Sequence, residues 1–178
     1  MRNYEIVYAD PPWHYAKRKT GTAFGGGVTD KYPTMTVDEI CDIPVKDWVS
    51  DDAMLFMWTT MPYLEKSFQV INAWGFEYKT CAFTWVKCNK DQTFWRGVGN
   101  WTKSNAELCL LARRGKTLPR LDRSVAQIIW EPRREHSRKP DRVRDDIVRL
   151  VGDRPRLEMF ARTQTPGWDV WGNQINTF

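Results

Sequence analysis

Four consecutive residues, Asp10-Pro11-Pro12-Trp13, follow directly on the apolar run Glu5–Ala9 (EIVYA). Two prolines cannot continue a central strand, so the chain must leave the sheet here and present the tetrapeptide at a strand end. These residue types suit a particular task. The Asp10 carboxylate accepts a hydrogen bond, and the Pro11 carbonyl, held in a fixed direction by the rings, accepts another. Together they match the two N–H groups of a planar exocyclic amine such as adenine N6, whose lone pair is delocalised into the ring. Accepting both hydrogens favours a more pyramidal and more nucleophilic nitrogen. Preorganised acceptors supply the electrostatic part of such catalysis, and alignment with the second reactant supplies the rest. Trp13 or the nearby Tyr15 offers a flat face for a base to stack on, worth roughly 1–3 kcal/mol. The plainer reading is an ordinary strand-to-turn boundary, since Asp-Pro is a common turn dipeptide.

The elements that must position this loop follow from hydrophobic patterning. Apolar runs at Glu5–Ala9, Ala53–Thr59, Cys81–Lys87, Glu107–Ala112, Ala126–Trp130 and Leu157–Ala161 predict buried strands, with Trp168–Trp171 as a short last one. Thr36–Ile40 predicts a short helix, because Thr36 followed three residues later by Glu39 is a capping box. Helices are also predicted over 62–74, opening on Pro62 and ending at Gly75, and over Pro140–Val151, ending before Gly152. Strands alternating with helices or long loops predict a doubly wound α/β sheet, read as one domain over residues 1–178. Such sheets bind ligands outside the carboxyl ends of their strands. The loops after residues 9, 87 and 161 belong there on this topology.

Three connecting segments are polar and basic: 14–33, with Gly25-Gly26-Gly27 in its middle, 88–105 with Trp95, Arg96, Trp101 and Lys103, and 132–139. They carry much of an excess of 27 Lys and Arg over 22 Asp and Glu, a balance that favours an anionic partner. The 10 Trp exceed what a minimal core needs, and two readings stand equally: a Trp-rich core, or a few Trp lining a pocket for a flat ligand. The GxGxxG fingerprint of many dinucleotide sites is absent, and the three glycines read as a hinge. The 4 Cys have no CxxC spacing and only 2 His could join them, so no metal site is expected. No apolar run reaches the ~18 residues of a membrane span and no signal peptide precedes the first strand, so a cytosolic protein is expected.

An ordered set of stretches extends the tetrapeptide: EIVYADPPW, KYPTMTVDEI, MLFMWTT, AWGFEY, FTWVK, GNWTKSNAELCLLARRG, HSRKPD, RLEMFAR and GWDVWGNQ. The sequence resembles the MT-A70 family of N6-adenine methyltransferases from about Tyr4 to Gln174. The resemblance implies a Rossmann-like doubly wound mixed sheet of the S-adenosylmethionine-dependent type, with the catalytic motif preceding the cofactor-binding ones. It implies S-adenosylmethionine as cofactor and a catalytic loop of Asp10, Pro11, Pro12 and Trp13. Asp10 would also lie near the cofactor's methionine amine and Lys139 near its carboxylate. Glu158, Phe160 and Arg162 would hold the ribose region, and Asn173 and Gln174 the ribose and adenine side. Glu107 matches an acid near the target pocket, and Arg134 and Ser137 share the loop of Lys139. The residues alone also allow Lys139 as a solvated helix residue, Glu158 as a strand residue facing water, and Asn173-Gln174 as a frayed terminus. The chain departs from the family at Thr163-Gln164-Thr165, where a His-Asn pair is usual. The upstream segment that covers the cofactor's adenine in longer members is not expected here.

The resulting expectation is methyl transfer from S-adenosylmethionine to adenine N6 in nucleic acid, DNA being preferred to RNA for a compact, basic chain. Tyr15, Lys17, Arg18, Trp95, Arg96, Lys103, Arg134, Ser137 and Arg138 are the expected nucleic-acid contacts from the basic loops. A catalytically silent nucleic-acid-binding module is the main alternative, and methylation of a free nucleotide or a protein glutamine a third. A homodimer or a partner subunit is left open.

Overall fold

A computed structural model describes residues 3–14, 33–97, 99, 101–134 and 138–172. Its centre is β1 (Tyr4–Ala9). Successive side chains of a strand point to opposite faces, and β1 is buried on both. Val7 and Ala9 enter one core, Ile6 and Tyr8 the other. The remaining strands are β2 (Val49–Thr59), β3 (Glu77–Cys88), β4 (Ala106–Arg114), β5 (Ile128–Pro132), β6 (Arg156–Met159) and β7 (Asp169–Trp171). They form one seven-stranded sheet in the order β5-β3-β4-β2-β1-β6-β7. Only β4 runs against its neighbours, β2 and β3; the other pairings are parallel.

The helices are α1 (Val37–Cys41), α2 (Leu64–Ala73) and α3 (Arg142–Val151). Ile40 of α1 and Val70 and Ile71 of α2 pack with Val7, Leu55 and Met57 on one face of the sheet. Val143, Ile147 and Val151 of α3 pack with Ile6, Phe56, Phe83 and Trp85 on the other. The expected doubly wound α/β sheet is therefore present, with helices on both faces.

The local signals explain most boundaries. The capping box forms: Glu39 N–H donates to Thr36 Oγ1 at 3.2 Å, and Thr36 N–H donates to Glu39 at 2.7 Å. Gly75 adopts φ 81° just after α2, with Gly75 N–H on Asn72 O and Phe76 N–H on Ile71 O, a left-handed stop that a side chain would strain. Other boundaries move. The helix expected over 62–74 opens as a separate 3₁₀ turn, Met61–Tyr63, before α2 begins at Leu64. Strands β2 and β3 each begin four residues earlier than the apolar runs. Asp51 and all of residues 77–80 are exposed, so apolar patterning does not reach them; Val49 pairs with Tyr4, and Glu77, Tyr78 and Thr80 pair with β4. β5 lies two residues later than its apolar run and closes on Pro132, which a sheet edge tolerates. β6 stops at Met159 because Phe160 turns the chain at φ 60°. α3 starts at Arg142 rather than Pro140, and Asp141 does not cap it because its carboxylate is used by Arg134, Arg138 and Arg144 instead.

The polarity of the strands decides where a site can form. The carboxyl ends of six strands and the amino end of β4 share one rim of the sheet. Asp10, Glu107, Glu131, Lys87 and Glu158 all stand within a residue or two of that rim.

Candidate active site

The Asp10–Trp13 loop is fastened by its own backbone. Trp13 N–H donates to Pro11 O at 2.9 Å, a tight turn that occupies one of the two lone pairs of that carbonyl. Met35 N–H donates to Pro12 O at 2.9 Å, and His14 N–H to Met35 O at 3.1 Å, so the segment before α1 clamps the loop. Tyr63 O–H donates to His14 O. Trp13 itself differs from expectation. It is only 5% exposed, and its ring lies against Tyr63 with centroids 5.3 Å apart. The face expected to receive a base is taken by Tyr63, and the indole braces the loop from inside. Trp13 Nε1 is buried without a hydrogen-bond partner among the described residues.

Asp10 is held by Lys139. The Lys139 ammonium lies 2.8 Å from each Asp10 oxygen and 3.2 Å from Glu107 Oε2, and Lys87 donates to Glu107 Oε1. Two carboxylates and two ammonium groups thus alternate along the rim from β1 to β3. Lys139, Glu107 and Lys87 expose only 9%, 8% and 15% of their side chains. Trp58 lies beneath Lys139 at 5.7 Å, and Trp85 beneath Lys87 at 4.9 Å, so the ammonium groups also face aromatic π-systems. Burial alone would push the Lys139 pKa down. Asp10 and Glu107 more than offset it, and the net shift is upward. Burial alone would raise Glu107, and Lys139 and Lys87 together carry it below its usual value. Lys139 is therefore not a solvated helix residue.

Lys87 was not among the expected site residues. The signal was available in the alternation of β3, where Lys87 follows the buried Phe83 and Trp85 on the same face. Lys87→Met is expected to cost about 1.5–3 kcal/mol, the usual range for a hydrogen bond to a charged group. Glu107 loses one of its two cations, so its pKa rises and its stabilising contribution begins to fade at a higher pH on acidification. Urea unfolding at neutral and mildly acidic pH reads both effects, and Lys87→Arg should retain most of the stability.

Beside Asp10 a cavity of about 210 Å³ opens, lined by Tyr8, Asp10, Arg138, Lys139, Arg144, Glu158, Phe160, Arg162 and Thr163. Five of the seven residues expected around a cofactor, Asp10, Lys139, Glu158, Phe160 and Arg162, share this one wall. The other two, Asn173 and Gln174, lie outside the described residues. Glu158 does not face water. It is 6% exposed and gripped at both oxygens by Arg144, at 2.7 and 2.5 Å. Arg144 in turn lies 5.6 Å from the Tyr8 ring, and Glu158 is the strongest influence holding its pKa up against the opposing effect of burial. A bidentate guanidinium fixes the plane of a carboxylate while leaving its remaining lone pairs as acceptors. Sequence reasoning missed Arg144, because an Arg in the first turn of an amphipathic helix looks solvated until the strand opposite is known. Phe160, in its left-handed turn, packs edge-on against Trp171 with centroids 5.4 Å apart.

The expected nucleic-acid contacts are more scattered. Tyr15, Lys17, Arg18 and Ser137 lie outside the described residues. Arg96 and Lys103 are exposed. Trp95 is half-buried, with Lys87 at 5.6 Å and Arg133 at 5.1 Å from its ring. Arg134 and Arg138 both pair with Asp141, the latter at 2.9 Å. Among the described residues no group of three or more His, Cys, Asp or Glu could hold a metal ion, and no helix is long and apolar enough to cross a membrane.

The sequence matches the MT-A70 family over residues 4–174. It is 35% identical to the Type II methyltransferase M.MunI of Mycoplasma sp over 98% of this chain and 78% of the relative. It is 30% identical to the N(6)-adenosine-methyltransferase catalytic subunit METTL3 of Homo sapiens over 99% of this chain, and equally so to an N(6)-adenosine-methyltransferase MT-A70-like protein of Arabidopsis thaliana. In those two cases the chain spans only 29% and 24% of the relative's length. A match across nearly every residue, on a mixed α/β sheet with the tetrapeptide at the end of β1, assigns the chain to the MT-A70 family of methyltransferases.

Proposed function

We propose that this protein transfers a methyl group from S-adenosylmethionine to the N6 amine of adenine in DNA. The observation that carries the reading is the meeting of Asp10 with Lys139 at the mouth of the cavity, 2.8 Å apart. The residues present suit S-adenosylmethionine. Its amino-acid end is a zwitterion, and Asp10 with Lys139 offers an anion and a cation side by side. Glu158 is an acceptor at a strand end, the usual partner of ribose hydroxyls in α/β nucleotide sites. Tyr8 and Phe160 add aromatic wall. Bound there, the cofactor supplies an electrophilic methyl group on a sulfonium.

The remaining chemistry belongs to the chain. Asp10 and the second lone pair of the Pro11 carbonyl accept the two amine hydrogens; the bond from Trp13 N–H fixes that carbonyl, and Met35 clamps the neighbouring Pro12 carbonyl. Lys139 and Glu107 hold Asp10 so that no rotamer search precedes reaction. An adenine within a duplex must be turned out of the stack, at about a few kcal/mol.

The preference for DNA rests on the relative matched over most of both lengths, a Type II methyltransferase, whereas the adenosine methyltransferases share only this portion. Incubation with labelled S-adenosylmethionine and matched DNA and RNA oligonucleotides, followed by nucleoside analysis, tests both choices. N6-methyladenine in DNA is expected. Label in the RNA alone would reverse the preference, and no detectable cofactor affinity by calorimetry would leave a silent binding module. DNA affinity should fall roughly 10–150-fold between 50 and 200 mM salt if about two to four phosphates are contacted. Binding indifferent to salt would remove the basic loops from the account.

A further inference from the structure

Loop residues Phe94 and Trp95 point to opposite sides of the rim, as neighbours do in extended chain. Phe94 forms an isolated antiparallel bridge with Cys88 at the end of β3. Trp95 turns inward to Lys87, and so to the charge chain that holds Asp10. Phe94 turns outward. It is 61% exposed and meets Trp130 of β5 edge-on, with centroids 4.7 Å apart. Trp130 is itself 37% exposed, and Ile128, two residues back on the same face of β5, is 63% exposed. β5 is the last strand of the sheet, so this corner carries aromatic surface that the helices do not cover. Lys90, Arg96 and Arg133, all exposed, flank the same corner.

We propose that Phe94 and Trp130 form a stacking platform for an unpaired nucleobase of the substrate strand, several nucleotides from the target adenine. The proposal rests on the nucleic-acid reading above and extends it beyond the target pocket. Flat aromatic faces among cations are what single-stranded nucleic acid requires, because every base has a π-face and every linkage a negative charge. The geometry also sets a distance. β5 and β1 are separated by four strand spacings of about 4.8 Å, roughly 19 Å along the rim. At about 3.4 Å per stacked nucleotide this corresponds to about five or six nucleotides, and to fewer where the strand is stretched.

The test compares two single-stranded DNA oligonucleotides by fluorescence anisotropy. One carries the target adenine with about ten nucleotides on either side, and the other with one. In Phe94→Ala/Trp130→Ala, affinity for the long strand is expected to fall about ten- to a hundredfold, while affinity for the short strand and for S-adenosylmethionine stays unchanged. Phe94→Tyr/Trp130→Phe, which keeps the rings, is expected to bind the long strand like the wild type. Equal losses on both strands, or no loss on the long one, would overturn the platform. So would a wild-type dimer in sedimentation that the double Ala variant dissolves, since the corner would then be a self-contact. If the wild type binds neither strand, the nucleic-acid reading itself has failed. Binding of the short strand with cofactor present separates that outcome from failure of the platform alone.

Discussion

Asp10→Ala is expected to fold, and to lower methyl transfer by at least about a hundred- to a thousandfold. That range is what removal of one preorganised electrostatic partner costs in other enzymes. The loss should be larger here because the proposed mechanism gives Asp10 two tasks, accepting from the amine and facing the cofactor's ammonium. The fold should survive because the side chain is 29% exposed and because Lys139 still has Glu107 at 3.2 Å. β1 ends before Asp10, and its burial depends on Tyr4 to Ala9. Single-turnover transfer with labelled cofactor, run beside thermal unfolding, separates the two effects. Near-normal transfer with an unshifted unfolding midpoint would remove Asp10 from the chemistry. Asp10→Asn should be nearly as slow, since its amide keeps one acceptor but loses the charge facing Lys139.

Lys139→Met should damage stability and cofactor binding together. It leaves Asp10 and the buried Glu107 without the cation they share, and breaking a buried pair on one side costs about 3–5 kcal/mol. For a domain of this size that lowers Tm by roughly 6–20 °C. The pH dependence follows from the direction of each shift. Lys139 is held above its ordinary pKa, so its stabilisation is complete below that ordinary value and is lost only as pH rises through the raised one. Glu107 is held below its ordinary pKa, so its stabilisation is present above that value and is lost as pH falls through the lowered one. Both contributions are therefore intact at neutral pH in the wild type. In Lys139→Met, Glu107 keeps only Lys87, its pKa rises, and the acid limb of stability moves toward neutrality. Calorimetry at pH 5 and pH 8 should show a larger deficit at pH 5. Unchanged cofactor affinity and an unchanged Tm would sink the assignment.

These two residues also show what a sequence can disclose. Asp10 was visible because its meaning is local: a strand followed by two prolines dictates where the carboxylate stands. The capping box of α1 and the glycine stop of α2 were visible for the same reason. Lys139 was located by resemblance, but its partner Glu107 lies 32 positions away, and Lys87, which shares Glu107, is placed there only because β4 lies beside β3. Arg144 and Glu158 are 14 apart, and nothing in either neighbourhood announces a bidentate pair. Trp13 shows the converse. An aromatic ring in a motif suggests a ligand face, yet Tyr63, 50 positions on, had already covered it. Charged strand starts such as Asp51-Asp52 and Lys79 hid the true lengths of β2 and β3, because apolar patterning measures burial and these residues are half-buried or exposed.

The reversed direction of β4 has one more consequence. The segment from Asn89 to Asn105 leaves the sheet and returns to it on the same rim, closing a hairpin between adjacent strands. A crossover between parallel strands must span the sheet and hold a minimum length, whereas a hairpin connection has no such span. Doubling a flexible loop costs only about 0.6 kcal/mol in closure entropy. Sequence can therefore be lengthened, shortened or exchanged here while Lys87 and Glu107, at its two roots, stay in register. Under the proposed function, the fold separates the part that would decide which nucleic acid is held from the part that would move the methyl group, and leaves the first free to vary.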